Sequence, residues 1–255
     1  VKSEWTVFHL FPVQPFKLDL TVWALRRRKE NFYDIWNNGV YKRILVIHGK
    51  PVLIKIKQLA PASCPKLEVT LKGCKSNDYT TALQIIEQTL GVKRNLTAFY
   101  NQISKDEKLG SLFNSLTGLK PPRFPSLFEA IVNGICCQQL SLTVGIILLS
   151  RLSQKYGQGI ENEAQKSFPE PDRLAKSNIQ ELRQLGLSSQ KARAIIALSE
   201  QFLSNPVGFE DLEKLDNQAV VERLMRYLGV GRWTAEYVLL RGLGRLDSFP
   251  GDDKG

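Results

Sequence analysis

Leu228-Gly229-Val230-Gly231-Arg232-Trp233-Thr234-Ala235 is the stretch from which the rest of this chain is best read. Two glycines around one small apolar residue let the backbone reverse tightly between helices and let another surface come close to it. A second helix is expected to begin at Arg232. Its first amide N–H groups have no partner within the helix, and the helix dipole makes that end favourable for an anion. The flanks repeat at helical spacing. Val220, Val221, Leu224 and Leu228 form one apolar face before the turn, and Ala235, Val238, Leu239 and Gly242 form another after it. These faces are expected to pack together and into a larger body, with small Ala235 and Gly242 permitting a close approach. Asp216 is the expected N-cap of the first helix and Gly244 the stop after the second. An acidic pair, Asp252-Asp253, follows.

The chain has 255 residues, enough to bury a sizeable core in one or two domains. Lysine and arginine outnumber aspartate and glutamate by 35 to 25, a formal charge of +10, which favours a polyanionic partner. Cys64, Cys74, Cys136 and Cys137 form no CxxC pair, so buried free thiols are expected rather than a zinc or disulfide framework. His9 and His48 lie in strand-like segments far from the acidic pair, and no metal site is expected from them. No apolar run has the length of a membrane span and the start carries no signal pattern, so no membrane association is expected.

Working back from the hairpin, the pattern is helical from about Leu96 onward. Ser126 is the expected cap of an apolar helix, Leu127 to Cys137, which ends at Gln138-Gln139-Leu140-Ser141. A helix from Leu142 to Tyr156 follows. Further helices are expected near 172–175, 179–185, 189–203, 216–228 and 232–243. Lys120-Pro121-Pro122-Arg123-Phe124-Pro125 cannot be helix interior and marks a rigid connection. The first part reads mainly as strands: Val7 to Val13, Phe16 to Ala24, Tyr41 to Ile47 and Pro51 to Lys57 around a His48-Gly49-Lys50 turn, and Lys66 to Lys72. A helix from Tyr79 to Leu90 ends at Gly91. Arg26-Arg27-Arg28-Lys29 is a solvated turn in preference to a targeting signal. The expected architecture is α+β: a small mixed antiparallel sheet and helix domain over residues 1–115, then an all-helical body over 116–255. The helix-hairpin-helix element occupies 216–244.

Taken together, Gly229 to Ala235, Tyr237 to Gly244 and Asp247-Ser248-Phe249-Pro250 leading to Asp253 resemble the helix-hairpin-helix (HhH-GPD) DNA glycosylase superfamily. Arg123 to Ala130 through Gln138-Gln139-Leu140-Ser141, and Leu185 to Arg193, are similar to segments of its alkylation-repair branch. The resemblance covers most of the chain and implies a base-excision enzyme. Its substrate would be double-stranded DNA with damaged bases, worked on by a monomer without cofactor or metal in a bacterial cytoplasm, at the nucleoid. The family continues beyond the reactive aspartate, so the chain is expected to be truncated at its C-terminus.

The resemblance also assigns residues. Asp253 matches the family's catalytic carboxylate, which can stabilise the cationic sugar of glycosidic cleavage or orient water. Neighbouring Asp252 is the residue it could be confused with and is expected to cap the helix beginning there; the family pattern, which places the reactive aspartate at the start of that helix, favours Asp253. Trp233 stands where the bifunctional members carry a lysine nucleophile, which implies simple hydrolysis without strand cutting. Trp233 and Tyr237, four apart on one helix face, are candidates for an aromatic pocket that attracts a cationic alkylated purine; they are equally readable as core. Gln139, then Leu140, match the family's wedge, which fills the gap left by a flipped base. Gly229, Val230, Gly231, Arg232 and Thr234 are the DNA-binding candidates, through backbone or hydroxyl contacts to phosphate. Two alternatives stay open: the same fold acting on uracil, hypoxanthine or 8-oxoguanine, and a non-catalytic DNA-binding module.

Overall fold

The structure, a computed structural model, describes residues 5–251, and the chain divides into two compact units. The first takes in the chain up to Arg27, Asp34–Arg43 and Val52–Pro122. The second takes in Arg28–Tyr33, Ile44–Pro51 and the chain from Arg123 onward.

The first unit is built on strands β1 (Trp5–Leu10), β2 (Ile35–Asn37), β3 (Val40–Ile47), β4 (Lys50–Gln58) and β5 (Leu67–Lys72), in the order β1-β5-β4-β3-β2. The tips of β3 and β4 group with the second unit. β5 lies antiparallel to both β1 and β4, so that Val69 faces Phe8 on one side and Ile56 on the other. The period-2 pattern of β5 buries Leu67, Val69 and Leu71 and leaves the alternate residues partly exposed. On the buried side Phe8 meets Tyr79 edge-on, with ring centroids 5.0 Å apart. The unit's helices are α1 (Leu18–Arg26), α2 (Tyr79–Leu90), α3 (Thr97–Ile103) and α4 (Gly110–Leu116). α2 ends as expected: Gly91 takes a left-handed φ of 60° and its N–H bonds back to the helix.

Three expectations for this unit need correction. Phe16 to Ala24 is not a strand. It holds most of α1, and the buried residues Leu18, Thr21, Val22 and Leu25 recur at helical spacing. Its β-branched residues suggested a strand, and the helical period overrode that preference. β2 was not anticipated, although Asn38-Gly39, both with positive φ, is a strong hairpin signal between it and β3. The cysteines also differ from expectation: Cys136 and Cys137 are buried, but Cys64 is exposed and Cys74 partly so.

The unit also buries charge. Asp34, Arg43 and Tyr41 are all inaccessible. Arg43 Nη1 lies 2.7 Å from Asp34 Oδ1, and the Tyr41 hydroxyl donates to the same oxygen at 2.6 Å. Burial, then the Asp34 charge, holds the Tyr41 phenol well above its usual range.

The second unit holds α5 (Leu127–Cys137), α6 (Leu142–Tyr156), α7 (Pro171–Ala175), α8 (Ile179–Gln184), α9 (Ser189–Ser204), α10 (Pro206–Glu210), α11 (Asn217–Leu224) and α12 (Arg232–Arg241). α5 is the hub: every residue from Phe128 to Cys137 is buried. Each of its fully buried Ile and Val side chains contributes about 1.5–3 kcal/mol. α12 crosses α5 at two close approaches. A Cβ on Gly134 would stand 2.6 Å from Thr234 Cγ2, and one on Gly242 would stand 2.9 Å from Ala130 Cβ. Gly242 therefore does bring helices close, but the neighbour is α5. α11 stops at Leu224, four residues short of the expected end, and leaves Leu228 53% exposed rather than in the core.

Candidate nucleic-acid interface

Side-chain caps sort the helices of the second unit. Ser126, Ser141, Ser188 and Asp216 each accept a hydrogen bond from a backbone N–H in the first turn of α5, α6, α9 and α11. α12 differs. Its N-cap is Gly231, which has no side chain to offer, and the first backbone bond of the helix runs from Ala235 N to Gly231 O. The amides of Arg232, Trp233 and Thr234 precede that bond, so a partial positive charge sits at an end without a protein carboxylate or hydroxyl cap.

The two glycines of the turn have different physical causes. Gly229 has a φ of +77°, and a Cβ there would lie 2.6 Å from the Ala194 methyl on α9. Its glycine is thus required by the fold. Gly231 has an ordinary φ of −91°, and a Cβ on it would meet nothing within 4 Å. Packing makes no demand there, and the glycine leaves the backbone bare in open space.

The remaining hairpin residues divide between core and surface. Val230 is only 6% exposed and its N–H donates to Tyr227 O, so neither its side chain nor its amide is offered outward. Thr234 is 1% exposed, with its methyl against Gly134. A hydroxyl contact from Thr234 to a phosphate is therefore ruled out, and its place at the helix end leaves only the amide. Arg232 lies on the surface and pairs with Glu236 one turn on, Nε to Oε1 2.9 Å. The Arg232 side of the pair is open to solvent, and such an i,i+4 pair contributes about 0.3–0.5 kcal/mol and is readily exchanged for another anion.

Facing the hairpin is the turn between α5 and α6. Gln139 and Leu140 are both exposed there, and Gln139 has a φ of +57°. A non-glycine residue in the left-handed region is strained, and such strain gathers at functional sites. The turn and the hairpin both line a cleft of about 600 Å³, with Gln138, Gln139, Lys191, Arg226, Gly229 and Gly231 among its walls.

Trp233 and Tyr237 stack with ring centroids 5.3 Å apart and planes within 14° of parallel, and both are half-buried. They are neither core nor free surface. Behind them runs a chain of hydrogen bonds. The Tyr237 hydroxyl donates to Asn133 Oδ1 at 3.1 Å, Asn133 Nδ2 to the Tyr33 hydroxyl at 3.4 Å, and Gln165 Nε2 to the Tyr33 carbonyl at 2.7 Å. Asn133, Tyr33 and Gln165 are buried. None of the three was anticipated. Asn133 carried a legible signal, as the amide in an otherwise apolar run on α5.

Two ionisable groups of this unit, Lys191 and Glu170, are shifted by their surroundings. Lys191 on α9 is shifted down by burial. Glu170, at the start of α7, is pushed up to about 7 by burial first and then by the charges of Asp172 and Glu129. Among the described residues no three His, Cys, Asp or Glu side chains come together as a metal site, and no helix is long and apolar enough to cross a membrane. Asp252 and Asp253 lie outside the described residues.

Residues 132–255 match the model of a family described as HhH-GPD superfamily base excision DNA repair protein. The chain is 27% identical over 244 residues to the DNA-3-methyladenine glycosylase of Bacillus subtilis, covering 90% of this chain and 77% of that protein. It is 33% identical over 149 residues to DNA-3-methyladenine glycosylase 2 of Escherichia coli, covering 57% of this chain and 51% of that one. Among solved structures it is similar to a 3-methyladenine DNA-glycosylase from Archaeoglobus fulgidus, with a TM-score of 0.82 and 26% identity over 97% of this chain and 82% of that one.

Proposed function

We propose that this chain, which over residues 132–255 matches the HhH-GPD superfamily of base excision DNA repair proteins, works as a monofunctional DNA glycosylase that releases alkylated purines from duplex DNA. The observation that carries this reading is the α12 N-terminus: an uncapped helix end behind a bare Gly231 backbone, one turn from a stacked Trp233–Tyr237 pair. The helix end suits a phosphate and the pair suits a cationic base. Each needs the other for lesion repair, and the net charge of +10 favours the polyanion that supplies both.

The chemistry is that of a good leaving group. A purine alkylated on a ring nitrogen is cationic, so heterolysis of the C1′–N bond sends the electron pair to the base, which departs neutral. The positive charge passes to the sugar as an oxocarbenium-like species. A carboxylate stabilises that charge and orients a water whose oxygen bonds to C1′, its proton going to solvent. Asp253 is the residue we assign to this role. Trp233 offers no amine, so no Schiff base forms and the product is an intact strand with an abasic site. Gly229 in this scheme shapes the turn, Gly231 and the amides of Arg232 and Thr234 hold phosphate, and Gln139 and Leu140 enter the space the base vacates. The protein acts as a monomer.

The test is base release from a methylated duplex. The wild-type protein releases 3-methyladenine and 7-methylguanine without strand cleavage, while Asp253→Asn releases neither and still binds the duplex. Binding without release by the wild type would reduce the protein to a DNA-binding module. Release of uracil or 8-oxoguanine in place of methylated purines would reassign the lesion.

A further inference from the structure

Lys191 is not on the hairpin, the turn after α5, or the aromatic pair, yet it holds two of these parts in register. From the first turn of α9 its ammonium reaches the C-terminal end of α5, donating to the carbonyls of Cys136 at 2.9 Å and Gln138 at 2.8 Å. A cation placed on the last carbonyls of a helix satisfies acceptors the helix cannot and complements its dipole. Gln138, so held, extends Nε2 to Gly229 O at 3.0 Å. Gly229 in turn rests on Ala194, one turn along α9 from Lys191. The result is a closed loop of contacts from α9 to the end of α5, across to the hairpin and back to α9. Gln139, with its strained φ of +57°, is the next residue along the chain.

We propose that Lys191 is a positioning residue for base eviction: through Gln138 it locks the turn bearing Gln139 and Leu140 to the hairpin, so that grip on the DNA backbone and insertion into the stack occur as one rigid act. The assignment rests on the reading of that turn as the wedge and of the hairpin as the phosphate grip. The physical reason is strain. A left-handed glutamine relaxes unless its neighbours over-determine it, and the two carbonyl bonds of a half-buried ammonium supply that constraint. Charged hydrogen bonds of this kind are stronger than neutral ones. Lys191 itself touches neither sugar nor base in this scheme.

The experiment compares single-turnover release of 7-methylguanine from two duplexes. In one the lesion is paired with cytosine; in the other it sits in a bulge with no opposing base to part from. Lys191→Met keeps an unbranched chain only one atom shorter and removes the donors. It should slow release from the paired duplex about tenfold or more, as a small misplacement of a catalytic part does, and leave the bulge within about twofold. Lys191→Arg, which keeps N–H donors, should restore most of the paired rate. Gln138→Ala cuts only the tie to Gly229 and should reproduce the paired-duplex defect; it decides the matter if Lys191→Met does not fold. Equal slowing on both duplexes would mark a purely structural lysine and overturn the assignment, as would unchanged rates in both Lys191→Met and Gln138→Ala. No release by the wild type from either duplex would instead remove the functional reading on which the assignment stands.

Discussion

Gly229 and Ala194 are in contact with no room between them: a Cβ on Gly229 would lie 2.6 Å from the Ala194 methyl. The hairpin thus sits on α9 at a point where only a hydrogen fits, and the same glycine needs its positive φ. Two residues on, Gly231 has neither constraint. The pair therefore separates folding from binding within one turn. Gly229→Ala should lower stability by about 2–4 kcal/mol, from left-handed strain together with overpacking. Gly231→Ala should change stability by less than about 0.5 kcal/mol, while weakening duplex binding about tenfold by keeping a phosphate away from the helix end. Urea denaturation and a binding titration on the same two variants check both halves. Equal loss of stability in the two would contradict the distinction.

The Trp233–Tyr237 stack predicts selectivity by charge. Trp233→Ala should reduce release of cationic 7-methylguanine about tenfold, which corresponds to about 1.4 kcal/mol of lost cation–π attraction. Release of neutral hypoxanthine, where the wild type performs it, should fall less. Single-turnover rates on the two lesions give the ratio, and an unchanged ratio would remove the cation from the argument.

In the first unit one oxygen of buried Asp34 accepts from both Arg43 and Tyr41. Asp34→Ala should cost about 3–5 kcal/mol, because it removes the carboxylate paired with a buried guanidinium. The midpoint of chemical unfolding reports this directly. The stability of a variant in which Asp34 and Arg43 are both replaced by apolar residues should lie closer to wild type than that of Asp34→Ala.

Glu170 gives the protein a pH dependence of determinate sign. Its carboxyl is pushed up to about 7 from an ordinary 4.5. Between those values the folded protein holds a proton that the unfolded chain has released. Stability from this group is therefore full below the lower value and is lost as pH rises through the higher one. Glu170→Gln should raise the unfolding temperature near pH 8, on the order of 2–4 °C, and leave it unchanged near pH 4, where the native carboxyl is already neutral. Thermal scans across that range decide it, and a benefit that grows toward acid pH would reverse the assignment.

Much of the helical body was legible because its signals are local. Ser126 and Asp216 cap the helices for which their side chains suit them, and Gly91 turns left-handed where a helix had to stop. Where two local signals conflicted, reading failed. Residues 18–25 are rich in strand-forming side chains yet carry a helical period, and the period won because it alone gives the segment a continuous buried face. Leu228 fitted the apolar stripe of α11, but the helix had already ended, so the residue stands in solvent.

The sequence by itself determined that a glycine turn leads into a helix whose first amides are free, and that two apolar helical faces flank that turn. Those are properties of neighbouring residues and of backbone geometry. Only the tertiary structure decided what each hairpin residue is for: Val230 and Thr234 face inward, Gly229 is held by Ala194, and Gly231 is left open. It alone brought Asn133 and Tyr33 behind Tyr237, and Lys191 onto the end of α5. Those partners stand 50 or more positions apart in the chain, with Lys191 and Cys136 separated by 55 and Asn133 and Tyr237 by 104. No local pattern encodes such pairs, because a buried polar atom takes whichever partner the packed fold brings within reach.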